Sequence, residues 1–413
     1  MMNPFFLVIL VALLLEYAIG LTANLLNLRS LRSEPPSALA GVYTVEDYRK
    51  SQEYLRANTH LDFVTSTFSL AVLFAFWFAG GFDYLDQIAR SWGFGPIPTG
   101  LLYIGILGAG YSLLMLPFSI YHNFVIEERF GFNRMTTRTF VTDRVKGAGL
   151  AVLLGGVLLG GILALFEYTG FYAWVYCWIG VTVFSLSMQY VTPTWIMPLF
   201  NKFTPLEPGQ IKEAILDYAR SVNFPVKNVF VIDGSKRSSK SNAFFTGFGR
   251  NKRIALFDTL IEKHTVPELI AVLAHEIGHH KKKHILQGTI IGILHTGLLF
   301  LILSIFLRSP SLYDAFFMEQ QSIYSGILFF GLLYTPLEMV LSVIMRAVSR
   351  KNEYEADRFA AETIQRPQHL VEALKKLHAG NLSNLNPHPF YVFLNCSHPP
   401  LLRRIRAILQ YET

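Results

Sequence analysis

The sequence predicts a mainly α-helical, polytopic membrane protein, because both its composition and its long apolar runs are typical of that class. Hydrophobic residues make up 52% of the 413 residues and charged residues 16%, whereas an ordinary soluble protein has about 25% charged residues. The mean hydropathy is +0.35. This balance argues against a soluble enzyme and against a disordered chain. Two cysteines, Cys177 and Cys396, are too few for a disulfide scaffold.

Seven apolar runs are long enough to cross a bilayer, which takes about 20 mostly apolar residues in a helix. They cover about residues 4–22, 63–82, 101–121, 147–166, 171–190, 285–307 and 326–345. The first run lacks a positively charged start and a small-residue cleavage site, so we expect a membrane helix there and not a signal peptide.

The positions of Lys and Arg predict the orientation of these spans. The chain carries a net charge of +7, and its cations are frequent after spans 1 and 3 but scarce after spans 2, 4 and 6, where Arg90 is the clear case. Because cations concentrate on the cytoplasmic side, the two long segments at about 193–284 and 346–413 are predicted to be cytoplasmic. The sequence therefore predicts a membrane domain with five helices over 1–192. A second domain over 193–413 would contain the last two spans as an insertion.

The two long segments contain patterns typical of a small α/β lobe. Alternating or β-branched runs at 229–233 and 253–257 predict strands, with a weaker third strand at 242–245. Glycines and an Asn-Lys pair within 247–252 predict a turn between the last two. Helices are predicted at about 208–222, 266–283, 346–362 and 367–379.

His275, Glu276 and His279 form an H-E-x-x-H motif on the helix predicted at 266–283. Residues four apart lie on one face of a helix, so both imidazoles can bind a single Zn²⁺. Glu276 lies beside the first of these ligands and is placed to act as general base on the metal-bound water. The alternative is a chance match to a short pattern, which the helical context makes less favourable.

A second histidine pair, His280 and His284, has the same spacing, but no carboxylate lies between its members. Lys281, Lys282 and Lys283 would repel a cation there. We therefore expect this pair to belong to the membrane-interface end of span 6.

A catalytic zinc site needs a third protein ligand, and Glu353 and Asp357 are candidates because they share one helical face. One carboxylate could bind the metal while the other accepts a hydrogen bond from a ligating imidazole. Glu355 is predicted to face the opposite side of this helix. A solvated helix whose acids pair with Arg350, Lys351 and Arg358 is the alternative, and the pattern by itself favours it.

Several motifs taken together resemble the integral-membrane zinc metalloproteases typified by the type I CAAX prenyl protease. These motifs are ERFGFNR (128–134), MPLFNKFTPL (197–206), SNAFFTGFGRNKRIALFDTL (241–260), AHEIGHH (274–280), NEYEAD (352–357) and SHPPLLRRIRAI (397–408). The resemblance implies seven transmembrane helices around a chamber, with a cytoplasmic, zincin-like metalloprotease lobe that contains a small β-sheet. It also implies one Zn²⁺ per chain, held by His275, His279 and Glu353 and supported by Asp357.

The resemblance further assigns substrate and catalytic roles. Asn242 and Ala243 match an edge strand that pairs with an extended peptide substrate. His398 matches a histidine near the metal that is a candidate for stabilising the oxyanion, and Arg404 matches an arginine of the same motif. The implied function is that of a membrane zinc endopeptidase whose relative removes the C-terminal tripeptide from prenylated proteins.

Two other functions remain open at the level of sequence. One is a membrane quality-control protease resembling the heat-shock zinc proteases, which have fewer spans. The other is a non-catalytic, chambered protein that binds a lipid or a peptide. The expected partners are membrane lipids and a peptide or protein substrate whose lipidation stays open, and nucleic acid is not expected because the cations are spread over membrane loops.

The chain ends in Leu409-Gln410-Tyr411-Glu412-Thr413, with no dilysine retrieval signal. This ending leaves room for a bacterial member of the family, in which prenylated substrates are not expected. The predicted location is the bacterial inner membrane, or the endoplasmic reticulum membrane of a eukaryote.

Overall fold

A computed structural model describes residues 3–32, 34–35, 44–224, 226, 228–246 and 253–411. The turn predicted within 247–252 lies outside these residues. The first half of the chain forms α1 (Pro4–Arg29), α2 (Val45–Phe78), α3 (Gly81–Ser91), α4 (Pro96–Arg129), α5 (Thr137–Tyr168) and α6 (Gly170–Phe200). Among these, α1, α2, α4, α5 and α6 are long and apolar enough to span a membrane.

The second half begins with the small sheet and ends with helices. In order it contains β1 (Phe203–Pro205), α7 (Gln210–Ser221), β2 (Asn228–Ile232), β3 (Ala243–Thr246), β4 (Arg253–Phe257), α8 (Asp258–Lys263), α9 (Val266–Lys281), α10 (His284–Phe306), α11 (Pro310–Asp314), α12 (Ile323–Thr363), α13 (Gln368–Gly380), α14 (Pro389–Asn395) and α15 (Leu401–Leu409). Helices α10 and α12 complete the seven membrane-length helices among the described residues, which confirms the predicted number of spans.

The membrane helices pack around an aromatic cluster at the end of the bundle that is remote from the sheet. The rings of Phe316 and Phe329 stack 3.9 Å apart, and Trp77 stacks on Phe316. The Trp77 indole N–H donates to the Ala315 carbonyl oxygen at 2.8 Å. These contacts fix α2 and α12 to the α10–α12 connection.

The four strands form one sheet in the order β1-β2-β4-β3. β2 and β4 are parallel, while the two outer pairs are antiparallel. β3 therefore lies at an edge of the sheet. The three predicted strands are confirmed, and β1 is a further short strand that pairs Thr204 with Val231.

The two long segments share a single hydrophobic core. Leu256 of β4 and Leu269 of α9 belong to the same buried cluster as Ile405 and Ile408 of α15. This core holds the helix of the H-E-x-x-H motif between the sheet and the C-terminal helices.

Two helix boundaries matter for the site. α12 is 41 residues long and runs without a break from its membrane portion into the lobe, so Glu353 and Asp357 lie on an extension of a membrane helix. α9 ends at Lys281, two residues before the predicted end, because Lys283 adopts a left-handed conformation with φ 61°. The chain turns there, and α10 starts at His284.

Candidate metal centre

The start of α9 is fixed by a capping box at Thr265 and Glu268. The Thr265 backbone N–H donates to the Glu268 carboxylate at 2.9 Å, and Lys376 on α13 contacts the same carboxylate at 2.7 Å. Burial would raise the pKa of Glu268, but the hydrogen bonds from Lys376 and Thr265 lower it overall. This cap sets the position of the motif helix against α13.

A close helix crossing brings the motif to the carboxylates of α12. Gly278 lies at this crossing, and a Cβ atom there would be 3.0 Å from the Ala356 carbonyl oxygen and 3.1 Å from its Cα. Glycine is therefore the residue that allows α9 and α12 to approach this closely.

Donor atoms of His275, His279 and Glu353 converge beside this crossing. The two Nε2 atoms are 3.2 Å apart. The Nε2 atom of His275 is 3.4 Å from one Glu353 carboxylate oxygen, and that of His279 is 3.3 Å from the other. His275 and Glu353 are buried.

This arrangement of donors fits a metal ion. Nitrogen and oxygen atoms bound tetrahedrally at about 2.0–2.1 Å from zinc lie about 3.3 Å from one another. The Glu353 Oε2 atom is buried and accepts no hydrogen bond within the described residues. Its nearest guanidinium is that of Arg404, whose Nη1 atom lies 3.4 Å away, so this oxygen is still available to a metal ion. The donor set of two imidazoles and one carboxylate is also one that zinc prefers.

Asp357 and Arg404 support the donors from behind. Asp357 Oδ1 lies 2.9 Å from His275 Nδ1, so the second ring nitrogen of this imidazole faces a carboxylate. Arg404 donates two hydrogen bonds to Asp357, at 2.6 and 2.7 Å, and its third nitrogen lies 3.4 Å from Glu353. Burial would lower the pKa of His275, but Asp357 and Glu353 raise it to about 9. A metal ion at Nε2 would compete with that proton.

Glu276 and His398 face the open side of the site. Both line a cleft of about 460 Å³ together with His275, His279 and Glu353, whereas Asp357 and Arg404 are not among its lining residues. Burial raises the pKa of Glu276. His398 Nε2 is 3.3 Å from Glu353, and its side chain is 64% exposed.

The segment that carries His398 is held by two arginines of α12. Arg350 donates to the Cys396 carbonyl oxygen at 2.8 Å and to that of Val392 at 3.2 Å, and Arg346 donates to that of Leu394. These carbonyls close the C-terminal end of α14, where cations are favoured. The sequence reasoning treated Arg350 as a partner for carboxylates, and the structure shows it bound to backbone carbonyls.

The predicted substrate strand lies next to the motif helix. β3 packs on α9, and Ala243 opens it, paired with Leu256 of β4. Asn242 immediately precedes β3, is exposed, and accepts a hydrogen bond from the Ala243 N–H at 2.9 Å. The other edge of β3 has no strand partner within the described residues.

His284 is the first residue of α10, the helix of span 6, as expected, and Glu355 is not one of the three converging donors, but the two side chains contact one another. His284 is buried, its Nδ1 is 3.0 Å from His279 Nδ1, and its Nε2 is 3.1 Å from Glu355. The early end of α9 and the turn at Lys283 bring His284 back toward the motif. The helix predicted at 266–283 and the span predicted at 285–307 gave no signal for a contact between residues 279 and 284.

A seven-span membrane protein whose H-E-x-x-H helix meets a carboxylate from a second helix is a membrane-embedded metallopeptidase. Two family models agree with this class. "CAAX prenyl protease N-terminal, five membrane helices" matches residues 24–202, and "Peptidase family M48" matches residues 205–412.

Similar proteins cover nearly the whole chain. The probable CAAX prenyl protease 1 of Schizosaccharomyces pombe is 38% identical, over 92% of this chain and 82% of the relative. CAAX prenyl protease 1 of Saccharomyces cerevisiae is 36% identical, over 90% and 88%. The crystal structure of S. mikatae Ste24p matches with a TM-score of 0.92 and 35% identity, over 98% of this chain and 99% of that chain. The chain belongs to peptidase family M48.

These matches confirm the predicted family, the fold of seven membrane helices around a chamber, and the function of a peptidase with a metal cofactor and a peptide or protein substrate. The suggestion of a bacterial member finds no support, because the relatives are eukaryotic. The heat-shock protease alternative is disfavoured because the N-terminal half matches the five-helix model of the CAAX enzymes.

Proposed function

We propose that this chain is a zinc endopeptidase that removes the C-terminal tripeptide from prenylated proteins. The observation that carries the proposal is the convergence of three donor atoms, from His275, His279 and Glu353, beside an edge strand. The names of the relatives, CAAX prenyl protease 1 in yeasts and its homologue in Homo sapiens at 32% identity, support the substrate class.

The roles of the metal-centre residues follow from their contacts. His275, His279 and Glu353 would hold one Zn²⁺, which when bound supplies Lewis-acid polarisation of the scissile carbonyl and an acidified water. Asp357 orients His275 through its Nδ1 contact. Arg404 is buried, donates two hydrogen bonds to Asp357 and has its third nitrogen 3.4 Å from Glu353, so we assign it a positioning role in place of direct contact with the oxyanion.

The cleft residues carry the chemistry. Glu276 takes the proton of the attacking water at its carboxylate and returns it to the leaving amine. His398 donates a hydrogen bond to the oxygen on which negative charge develops, since its exposed ring reaches the open side of Glu353. The free edge of β3, starting at Asn242 and Ala243, pairs with the backbone of the extended substrate and keeps the scissile bond in line.

The proposed enzyme has two domains, a membrane domain over 1–192 and a protease domain over 193–413. The distribution of cations supports a site on the cytoplasmic side. With eukaryotic relatives, this orientation fits the endoplasmic reticulum membrane. The test is labelling of single cysteines, introduced at Asn242 and at Arg90, in sealed vesicles. We expect a membrane-impermeant reagent to label one of these two positions and not the other, because they lie on opposite sides of the membrane.

The experiment is digestion of a farnesylated CAAX peptide beside its unlipidated twin by the purified full chain, with products identified by mass spectrometry. We expect release of the tripeptide from the lipidated peptide and its loss after chelation, with recovery on addition of zinc. Glu276→Gln should retain zinc and lose about 10²–10⁴-fold in kcat. Full activity of that variant with zinc bound would rule out the assigned chemistry, and equal cleavage of both peptides would rule out the need for a lipid.

A further inference from the structure

The imidazole of His284 lies between His279, a proposed metal ligand, and the carboxylate of Glu355. The two Nδ1 atoms are 3.0 Å apart, and His284 Nε2 is 3.1 Å from Glu355 Oε2. His284 is buried, whereas the side chain of Glu355 is 40% exposed. The three side chains therefore form a continuous chain of hydrogen bonds that leads away from the metal centre.

The carboxylate of Glu355 determines the direction of both hydrogen bonds in this series. An ionised carboxylate only accepts, so Glu355 must receive the proton on His284 Nε2. A neutral imidazole that donates at Nε2 accepts at Nδ1, so His284 receives the proton on His279 Nδ1. His279 protonated at Nδ1 has its lone pair at Nε2, which is the atom that faces His275 and Glu353.

We infer that His284 and Glu355 are positioning residues that fix the tautomer and the ring orientation of His279, an inference that rests on the metal centre of the proposed function. A ligating histidine usually gives its second N–H to a carboxylate or a carbonyl. His275 does so directly, to Asp357. His279 reaches its carboxylate through an interposed imidazole.

The backbone around Lys283 makes this arrangement possible. Lys283 has φ 61°, a left-handed conformation that is unfavourable for a residue with a side chain. That turn separates α9 from α10 and lets the first residue of α10 contact the last turn of α9. A continuous helix would place residues 279 and 284 five positions apart, about 140° away from one another around the axis.

The test is a zinc competition titration of the purified full chain with a chromophoric chelator, in the absence of any peptide. We compare His284→Leu, which removes the acceptor, with His284→Asn, whose side-chain oxygen can replace Nδ1 as acceptor. Glu355→Leu breaks the outer bond at a half-buried position outside the hydrophobic core, and it also removes the surface ion pair of Glu355 with Lys351. Glu362→Leu is the matched control. Glu362 lies near the same end of α12 and forms an ion pair with Arg358.

We expect His284→Leu and Glu355→Leu to weaken zinc binding about 10–100-fold, the range for loss of such an outer partner. His284→Asn should restore most of the affinity, and Glu362→Leu should not change it. Glu355→Leu should have no further effect in the His284→Leu background, because the chain is already broken. The visible spectrum of the cobalt-loaded protein should change in the two weakened variants, since the ring of His279 is no longer fixed.

Wild-type affinity in both His284→Leu and Glu355→Leu would overturn the inference. So would equal losses in His284→Leu and His284→Asn together with no loss in Glu355→Leu, which would indicate a packing role only. This test is independent of the peptide assay. If zinc binding depends on His284 and Glu355 as expected but the protein cuts no prenylated peptide, only the proposed substrate is contradicted.

Discussion

Arg404 is the side chain whose loss should affect the stability of the lobe most clearly. It is 5% exposed and donates two hydrogen bonds to Asp357, which is 2% exposed. It also lies 3.4 Å from Glu353, itself 4% exposed. Arg404→Met would leave two buried carboxylates without the guanidinium that contacts both, with His275 as their remaining cationic neighbour. Removal of one partner of a buried pair costs about 3–5 kcal/mol.

That free energy predicts a large thermal shift. For a domain of 150–250 residues, 1 kcal/mol lowers the midpoint by about 2–4 °C, so Arg404→Met should lower it by about 6–20 °C. The measurement is thermal unfolding of metal-free protein in nanodiscs. Arg403→Met, an exposed neighbour on the same helix, is the control and should stay within about 0.5 kcal/mol of the wild type.

The double variant makes the reasoning stricter. Asp357→Asn combined with Arg404→Met removes one of the unpaired charges, so it should be less destabilised than the sum of the two single variants. If Arg404→Met unfolds no earlier than Arg403→Met, or if the two single effects simply add, the buried pair is not the source of the stability.

Three further outcomes follow from other contacts. Arg350→Gln should lower kcat by loosening the segment of His398, and it should add nothing in a His398→Ala background, which kinetics on both variants would check. Glu268→Gln should remove the part of the stability that is present above the unfolded pKa of about 4.3 and is lost as the pH falls through the lowered pKa of the folded carboxyl. Since Lys376 is half exposed, this contribution to the free energy of unfolding is at most about 1 kcal/mol. It is measured as a weaker dependence of that free energy on pH at acidic pH. Gly278→Ala should separate α9 from α12, cost about 1–3 kcal/mol, and weaken zinc binding in a chelator titration.

The sequence was informative wherever function depends on spacing along one element. The H-E-x-x-H motif predicts that His275 and His279 share a face, and the structure has their Nε2 atoms 3.2 Å apart. Glu353 could not be selected by spacing alone, because the solvated-helix alternative fits the same letters. Its selection needed the resemblance, and the structure supplies the physical reason in the contact of Gly278 with Ala356.

The interactions that the sequence did not predict depend on backbone turns and on long-range contacts. The contact of His284 with His279 needs the left-handed residue Lys283, which no local propensity of lysine predicts. The hydrogen bond from Arg350 to the Cys396 carbonyl oxygen joins residues 46 positions apart. The pattern of charges along α12 cannot predict a hydrogen bond to a backbone carbonyl of a segment that is distant in sequence.

The continuity of α12 places the proposed metal centre close to a membrane-length helix. The apolar run predicted to end at Met345 and the proposed ligand Glu353 are eight residues apart on one unbroken helix, which is about 12 Å along its axis. The other proposed ligands lie on α9, and only two residues separate the end of α9 from the start of the membrane-length helix α10. Both halves of the metal centre are thus attached to membrane helices at short, fixed distances. Under the proposed function, a lipid close to the C-terminus of the peptide would anchor the peptide in the bilayer near this centre. An unlipidated peptide would reach the same centre only by diffusion, and its binding would depend on pairing with β3. The proposed function therefore predicts a difference between lipidated and unlipidated peptides that appears in KM more than in kcat, measured by steady-state kinetics on the two peptides.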